Sequence, residues 1–356
     1  MTSRERVLKA LHFEKTDRFP FEISWGAFTP SLMEEYRRQT GSDLDPCEYF
    51  DFDTRSVDIG PTRKNTDFSK YYDSVLPENT ILNEWGVGSI PGSTEHFVEI
   101  KYHPLSLCTS VDEILHFEWP DIDADYRFAG MKEKIAEYHK KGYAVTGEMY
   151  CTIFETAWQL RGLETFLIDL YEEEEIAEAI CQKLCELRIR QAQKYAELGV
   201  DILRLGDDVA TQNGPLMSIP VYRKFFSGKM KQIISAAKEI NPDILIFRHC
   251  DGKVEDLIDT FLEEGVEILN PVQPECNDLA AVYEKYGDRL SFWGGIGTQS
   301  TMPFGSPADV KNAVEEVQKL LGGRGALLIA PSHILEPEVP WENVIAFIDT
   351  VKNNKV

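Results

Sequence analysis

Two rhythms of apolar residues divide the chain. From about residue 127 onward, short apolar runs alternate with longer stretches in which apolar positions recur every three or four residues. The short runs, at 143–147, 202–205, 244–247, 266–269, 290–293 and 326–329, read as strands buried on both faces. The longer stretches, at 131–140, 152–160, 174–198, 221–240, 254–264, 279–286, 308–321 and 341–352, read as amphipathic helices. The earlier part is less regular. Ser3 and Glu5 before Val7, Leu8 and Leu11 predict a short helix, and 19–24 reads as a strand entering a turn at Trp25 and Gly26. Strand-like pieces at 53–59, 80–87 and 97–102 are broken by Pro61, Pro77, Pro91 and Pro104. Strands alternating with helices build a parallel sheet covered by helices. Six late strands, with early ones at 19–24, 53–59 and 97–102, suffice for eight. The predicted fold is therefore α/β: one (β/α)8 TIM barrel over 1–356, with helical and hairpin elaborations within 1–125. An open doubly wound sheet is the alternative, but its Gly-rich dinucleotide fingerprint is missing.

Composition narrows the partners. The 356 residues are 43% hydrophobic and 11% aromatic, enough apolar surface for a large core. Lys and Arg number 37 against 60 Asp and Glu, a formal net charge of −23 at pH 7. Such a field repels phosphate, so no nucleic-acid partner and no anionic membrane surface are expected. No apolar run approaches the roughly 18 residues needed to span a bilayer. The opening MTSRERVLKALHFEKTDRFP has no apolar signal-peptide core. Cysteines at 47, 108, 151, 181, 185, 250 and 276 are odd in number and form no CxxC, which fits reduced thiols and a cytoplasmic protein.

In a parallel barrel the chemistry gathers where the strands end. The polar residues directly after the apolar runs are Glu148; Asp207 and Asp208; His249, Cys250 and Asp251; Asn270 and Gln273; Gly294, Gly295 and Gln299; and Ser332 and His333. Of the seven histidines, only His249 and His333 fall at these tips. Plain structural roles compete: Asp208 and Asn270 suit helix caps or turns, His249 suits a simple pair with Asp251, and the two glycines suit a tight turn. Cys250 points away from its two neighbours in an extended strand and belongs to the core. As a set, His249 and Asp251 share a strand face, and His333 ends the strand that neighbours the first in a closed barrel. With Glu148 as a fourth group, these residues suit zinc by ligand type, although no HExxH or paired-cysteine spacing is present. The absence of GxSxG and of a P-loop sets aside serine nucleophiles and nucleotide phosphates.

Eight segments carry a resemblance: RERVLKALHFEKTDRFP at 4–20, LNEWGVG at 82–88, FETAWQLRGLETFLIDL at 154–170, ILRLGDDVATQNGPLMS at 202–218, HCDGKVEDLI at 249–258, ILNPVQP at 268–274, FWGGIGTQSTMPFGSP at 292–307 and IAPSHILEPEVPWENV at 329–344. Together they resemble the uroporphyrinogen decarboxylase-like superfamily, which includes cobalamin-dependent methyltransferases; the implied fold is again a (β/α)8 barrel. The decarboxylase motif PxWxMRQAGRY, whose arginines hold substrate carboxylates, corresponds here to RFPFEISWGAF, with no arginine after Arg18. The branch that methylates coenzyme M binds zinc through His-x-Cys and a later Cys. Here Asp251 follows His249 in that spacing, and His333 stands at the later position. Carboxylate and imidazole make a harder site than two thiolates, suited to polarising oxygen.

The resemblance thus implies a methyltransferase of the corrinoid O-demethylase kind. It would take a methyl group from a small O-methylated donor, a methoxyaromatic, and pass it to the cobalt of a separate corrinoid-binding protein, since no DxHxxG motif is present. The implied roles are zinc binding by His249, Asp251 and His333, and catalysis by His249, Asp207, Glu148 and Gln212. Trp25, Trp85, Tyr150 and Gln299 would bind substrate, and a homodimer is compatible with the sequence. Two other activities stay open: a metal-independent decarboxylase of an acidic aromatic or tetrapyrrole, drawing on Arg161, Arg204 and Arg248, and a methylcobamide:thiol methyltransferase.

Overall fold

The computed structural model describes residues 1–24, 28–93, 97–321 and 325–354. Among them, seven parallel strands form one curled sheet: β1 (Thr54–Val57), β2 (Ala144–Met149), β3 (Ile202–Gly206), β4 (Leu245–His249), β5 (Ile268–Asn270), β6 (Ser291–Ile296) and β7 (Leu327–Pro331), neighbours in that order. Residues 20–22 join the two edges. Ile329 N–H donates to Pro20 O at 2.9 Å and Glu22 N–H to Ile329 O at 3.3 Å, while Asp53 N–H donates to Phe21 O at 3.1 Å. The strand predicted at 19–24 is thus a short seam that closes a TIM-barrel-like fold. Asp53 holds it: fully buried, its carboxylate accepts from Arg6 Nη1 and Arg18 Nη1 at 2.7 Å and from Phe21 N–H at 3.0 Å. A buried carboxylate needs such partners, because its hydration is lost.

The six late strands lie where the apolar runs placed them, but the strand at 97–102 does not join the barrel. Val98–Tyr102 pairs antiparallel with Gly88–Pro91, which pairs with Ile81–Leu82. The alternation V-E-I-K-Y is that of a one-sided strand, whereas barrel strands are apolar on both faces. The strand predicted at 80–87 breaks at a turn where Asn83 Oδ1 accepts from Trp85 and Val87 N–H, at 3.0 Å each. Gly86 occupies that turn at φ 75°, and a Cβ there would strike the Phe68 ring. Helices add to those predicted, the longest of them Pro30–Thr40 and Leu163–Glu172. The expected helix at 254–264 starts only at Ile258, and that at 221–240 contains a π turn at Arg223–Ser227.

The helix Ser3–Leu11 closes the bottom of the barrel. Thr2 caps it in a reciprocal pair with Glu5. Val7 and Leu11, one turn apart, pack on Ala144, Ile202, Leu245, Ile268 and Leu328 from the strand starts. One layer up, the interior turns polar. Arg204 donates to Glu22 Oε1 at 2.5 Å and to Glu148 Oε1 at 3.4 Å, and lies 4.4 Å from the Trp293 ring centroid. Trp293 Nε1 donates to the same Glu22 oxygen at 3.1 Å, and the Thr54 hydroxyl donates to Oε2. With the interior filled to this height, only the C-terminal mouth is left for a site.

Candidate active site

At the mouth, β4 ends in His249 and β5 in Asn270, side by side in register. Asn270 Nδ2 donates to Trp293 O at 2.6 Å, which turns Oδ1 toward His249 Nδ1, also at 2.6 Å. Nδ1 must therefore carry the proton, and in the neutral ring Nε2 presents a lone pair. Nε2 faces Asp208 Oδ1 at 3.7 Å and Asp251 Oδ1 at 3.8 Å, too far for a hydrogen bond. Asp251 is held by its own N–H, which donates to Asp208 Oδ1 at 2.8 Å, and its Oδ1 is buried without a hydrogen-bond donor among the described residues. The His333 ring, past the end of β7, lies with its centroid 6.2 Å from that of His249. One ligand atom each from His249, Asp251 and His333 falls within a 4.8 Å group. Two imidazole nitrogens, a carboxylate oxygen lacking a donor and an asparagine fixing the tautomer form a donor set that fits a zinc-sized cation.

The electrostatics carry the same signature. Burial pushes the Asp251 carboxyl upward, against the pull of His249. Burial opposes charge on His249, but Asp251 and Asp208 outweigh it and raise its affinity for a proton. His333 is lowered, because burial outweighs the nearby Asp251. Glu155 is pushed up to about 8 by burial and by the charges of Asp208 and Asp207. Carboxylates crowded around two imidazoles leave an excess of negative charge that a divalent cation would relieve. Sequence reasoning did not single out Glu155. An acid in the first turn of Phe154–Arg161 has the same appearance as one that answers the helix dipole. Asn270 was weighed as a cap and is instead the partner of His249.

Asp251 and His333 line a cavity of about 800 Å³ over the mouth, with His249 behind them. Gln212 and Gln299, both singled out from the sequence, line it, and Gln212 Nε2 lies 3.4 Å from Gln273 Oε1. Phe97, Phe304 and Ile334 supply its apolar wall. Other expected residues are placed elsewhere. Asp207 is a buried cap: its oxygens accept from the N–H groups of Ile153, Phe154 and Glu155 at 2.8, 3.1 and 3.0 Å, which commits them to the start of a helix. Glu148 lies in the barrel interior, takes a 2.6 Å hydrogen bond from Thr146, and is outside the three-residue ligand group. Tyr150 reaches toward Glu148, and Trp85 packs on Trp119 and under Arg188; neither lines the cavity. Trp25 lies outside the described residues. The glycine pair serves packing, since a Cβ on Gly294 would come within 2.7 Å of Pro271 O.

Residues 131–354 match the family described as Uroporphyrinogen decarboxylase (URO-D). A uroporphyrinogen decarboxylase from Coxiella burnetii is 23% identical over 193 residues, 52% of this chain and 49% of that one, so the chain spans about half the length of this relative. One from Hordeum vulgare is 21% identical over 288 residues, covering 78% of this chain and 83% of that protein. Among solved structures, a methyltransferase from Methanosarcina mazei superimposes with a TM-score of 0.69 at 18% identity, over 99% of this chain and 98% of that one, a likeness of fold. No described helix is long and apolar enough to cross a membrane. With more than half its length matched and the barrel in place, the chain belongs to the uroporphyrinogen decarboxylase family.

Proposed function

We propose that this protein is a methyltransferase that takes a methyl group from a small O-methylated donor, a methoxyaromatic, and passes it to the cobalt of a corrinoid on a separate protein docked over the barrel mouth. The observation that carries this reading is the convergence of His249, Asp251 and His333 at the floor and wall of a cavity with apolar and amide sides. Zinc would be held by these three residues and would supply Lewis acidity toward an ether oxygen. The remaining work falls to the chain. Phe97, Phe304 and Ile334 offer a surface for a ring, and the Gln212–Gln273 pair with Gln299 can orient its polar substituents. Asn270 keeps His249 Nε2 aimed at the acidic corner. Glu155, its carboxyl raised by burial and by the charges of Asp208 and Asp207, borders this cluster and is the group we assign to proton transfer toward a departing phenolate.

The decarboxylase reading needs arginines at the cleft, and none of the three candidates lines the cavity. Arg161 binds Asp169 and the carbonyls of Leu105 and Cys108, Arg204 lies in the barrel interior, and Arg248 is fully buried beside Phe261. A thiol acceptor would favour the cysteine ligands that Asp251 and His333 replace. The test joins metal analysis to turnover. Wild-type protein should hold about one zinc per chain and methylate a reduced corrinoid protein from methoxyaromatics, and His249→Ala should lose both with its circular dichroism unchanged. Carbon dioxide release without corrinoid, or no corrinoid methylation across a broad donor panel, would end the proposal.

A further inference from the structure

We infer that the cavity selects a methyl donor that is neutral or cationic and rejects donors carrying a carboxylate, a substrate class that deepens the methyltransferase reading and rests on it. The described lining contains three carboxylates, Asp251, Glu336 and Glu338, and three amides, Gln212, Gln273 and Gln299, but no Lys or Arg. Arg161 pairs with Asp169, Arg204 pairs with Glu22 in the barrel interior, and Arg248 is fully buried beside Phe261; none of the three lines the cavity. A substrate carboxylate entering here would lose hydration and meet like charges instead of a donor fork.

A bound divalent cation does not reverse the balance. Asp251 and Asp208, the two carboxylates facing His249 Nε2, would offset its two charges, leaving Glu336 and Glu338 facing the cavity. The chain's net charge of −23 acts in the same direction at longer range. What the wall does offer is hydrogen bonding from amides, which serves a hydroxyl, an ether or an ammonium group, and an apolar face from Phe97, Phe304 and Ile334.

The experiment uses three ligands of one shape: 4-methoxybenzyl alcohol, 4-methoxybenzylamine and 4-methoxybenzoate. Each is titrated calorimetrically into full-length protein, chelated and zinc-loaded, at low salt, and each is offered as a methyl donor with reduced corrinoid protein. The alcohol and the amine should bind at least about tenfold more tightly than the benzoate in both forms. The double variant Glu336→Gln, Glu338→Gln should narrow the gap between amine and benzoate severalfold. Benzoate binding as tightly as the others, or no binding by any of the three, overturns the inference. The two readings fail separately. A preserved order of binding without methyl transfer refutes the activity but leaves the charge selection standing, whereas transfer that favours the benzoate does the reverse.

Discussion

Two sets of ionisable groups are stacked along the barrel axis, and they are built on opposite terms. In the lower set, Arg204 stands between Glu22 and Glu148, and burial holds Glu148 above the ordinary carboxylate range. Arg204 thus bridges the two acids, and Trp293 and Thr54 donate to Glu22, so the set is tied together by its own charges and hydrogen bonds. In the upper set, His249 and His333 face Asp208, Asp251 and Glu155, and the separations of 3.7 and 3.8 Å are too long for the hydrogen bonds that would settle the charge. Burial of polar groups is common to both sets. Function is indicated where imidazoles and carboxylates converge on one point at the edge of a cavity.

The largest effect should come from breaking the lower set. Arg204→Met leaves two carboxylates in the interior without their cation, and should cost about 3–5 kcal/mol, read as a fall of several degrees in Tm. A Tm within one degree of wild type would mean that this layer is not the structural element described. Next is the support of the upper set. Asn270→Ala frees the His249 ring from its fixed tautomer and should weaken zinc binding about 10- to 100-fold in a competition titration, with circular dichroism unchanged. Unaltered affinity would remove Asn270 from the site.

The smallest effect is on the pH dependence of stability. The folded-state pKa of Glu155, about 8, lies above its ordinary 4.5. Between these values the folded chain holds a proton that the unfolded chain has released, so this group's contribution is full below about 4.5 and declines as pH rises toward about 8. In chelated protein, Glu155→Gln should therefore flatten the loss of Tm across that window. An unchanged slope would place the unbalanced charge elsewhere in the cluster.

The legible and illegible parts of the molecule divide along physical lines. Barrel strands such as Ile202–Gly206 and Leu327–Pro331 are apolar on both faces, a pattern that survives any arrangement of neighbours, and the polar residues after them named His249, Asp251 and His333. The strand Val98–Tyr102 was misplaced because pairing partners are chosen by long-range contacts that a local alternation does not record. Asp207 and Asp208 are adjacent and identical in type, yet one caps a helix and the other faces the histidine. Glu148 and Glu155 each sit near a barrel tip, yet one pairs inside the barrel and the other borders the site.

The sequence by itself determined the alternation that makes a barrel, the acidity of the whole, and the two histidines with their shared aspartate. Only the tertiary structure decided which carboxylate answers an arginine, which answers a backbone amide and which is left facing an imidazole. Those outcomes depend on side-chain direction and on partners 20 to 200 residues away in the chain, as with Arg204 and Glu22, 182 residues apart. Hydrogen bonds and charges act over a few ångströms of space, and the order of residues along the chain does not state those distances.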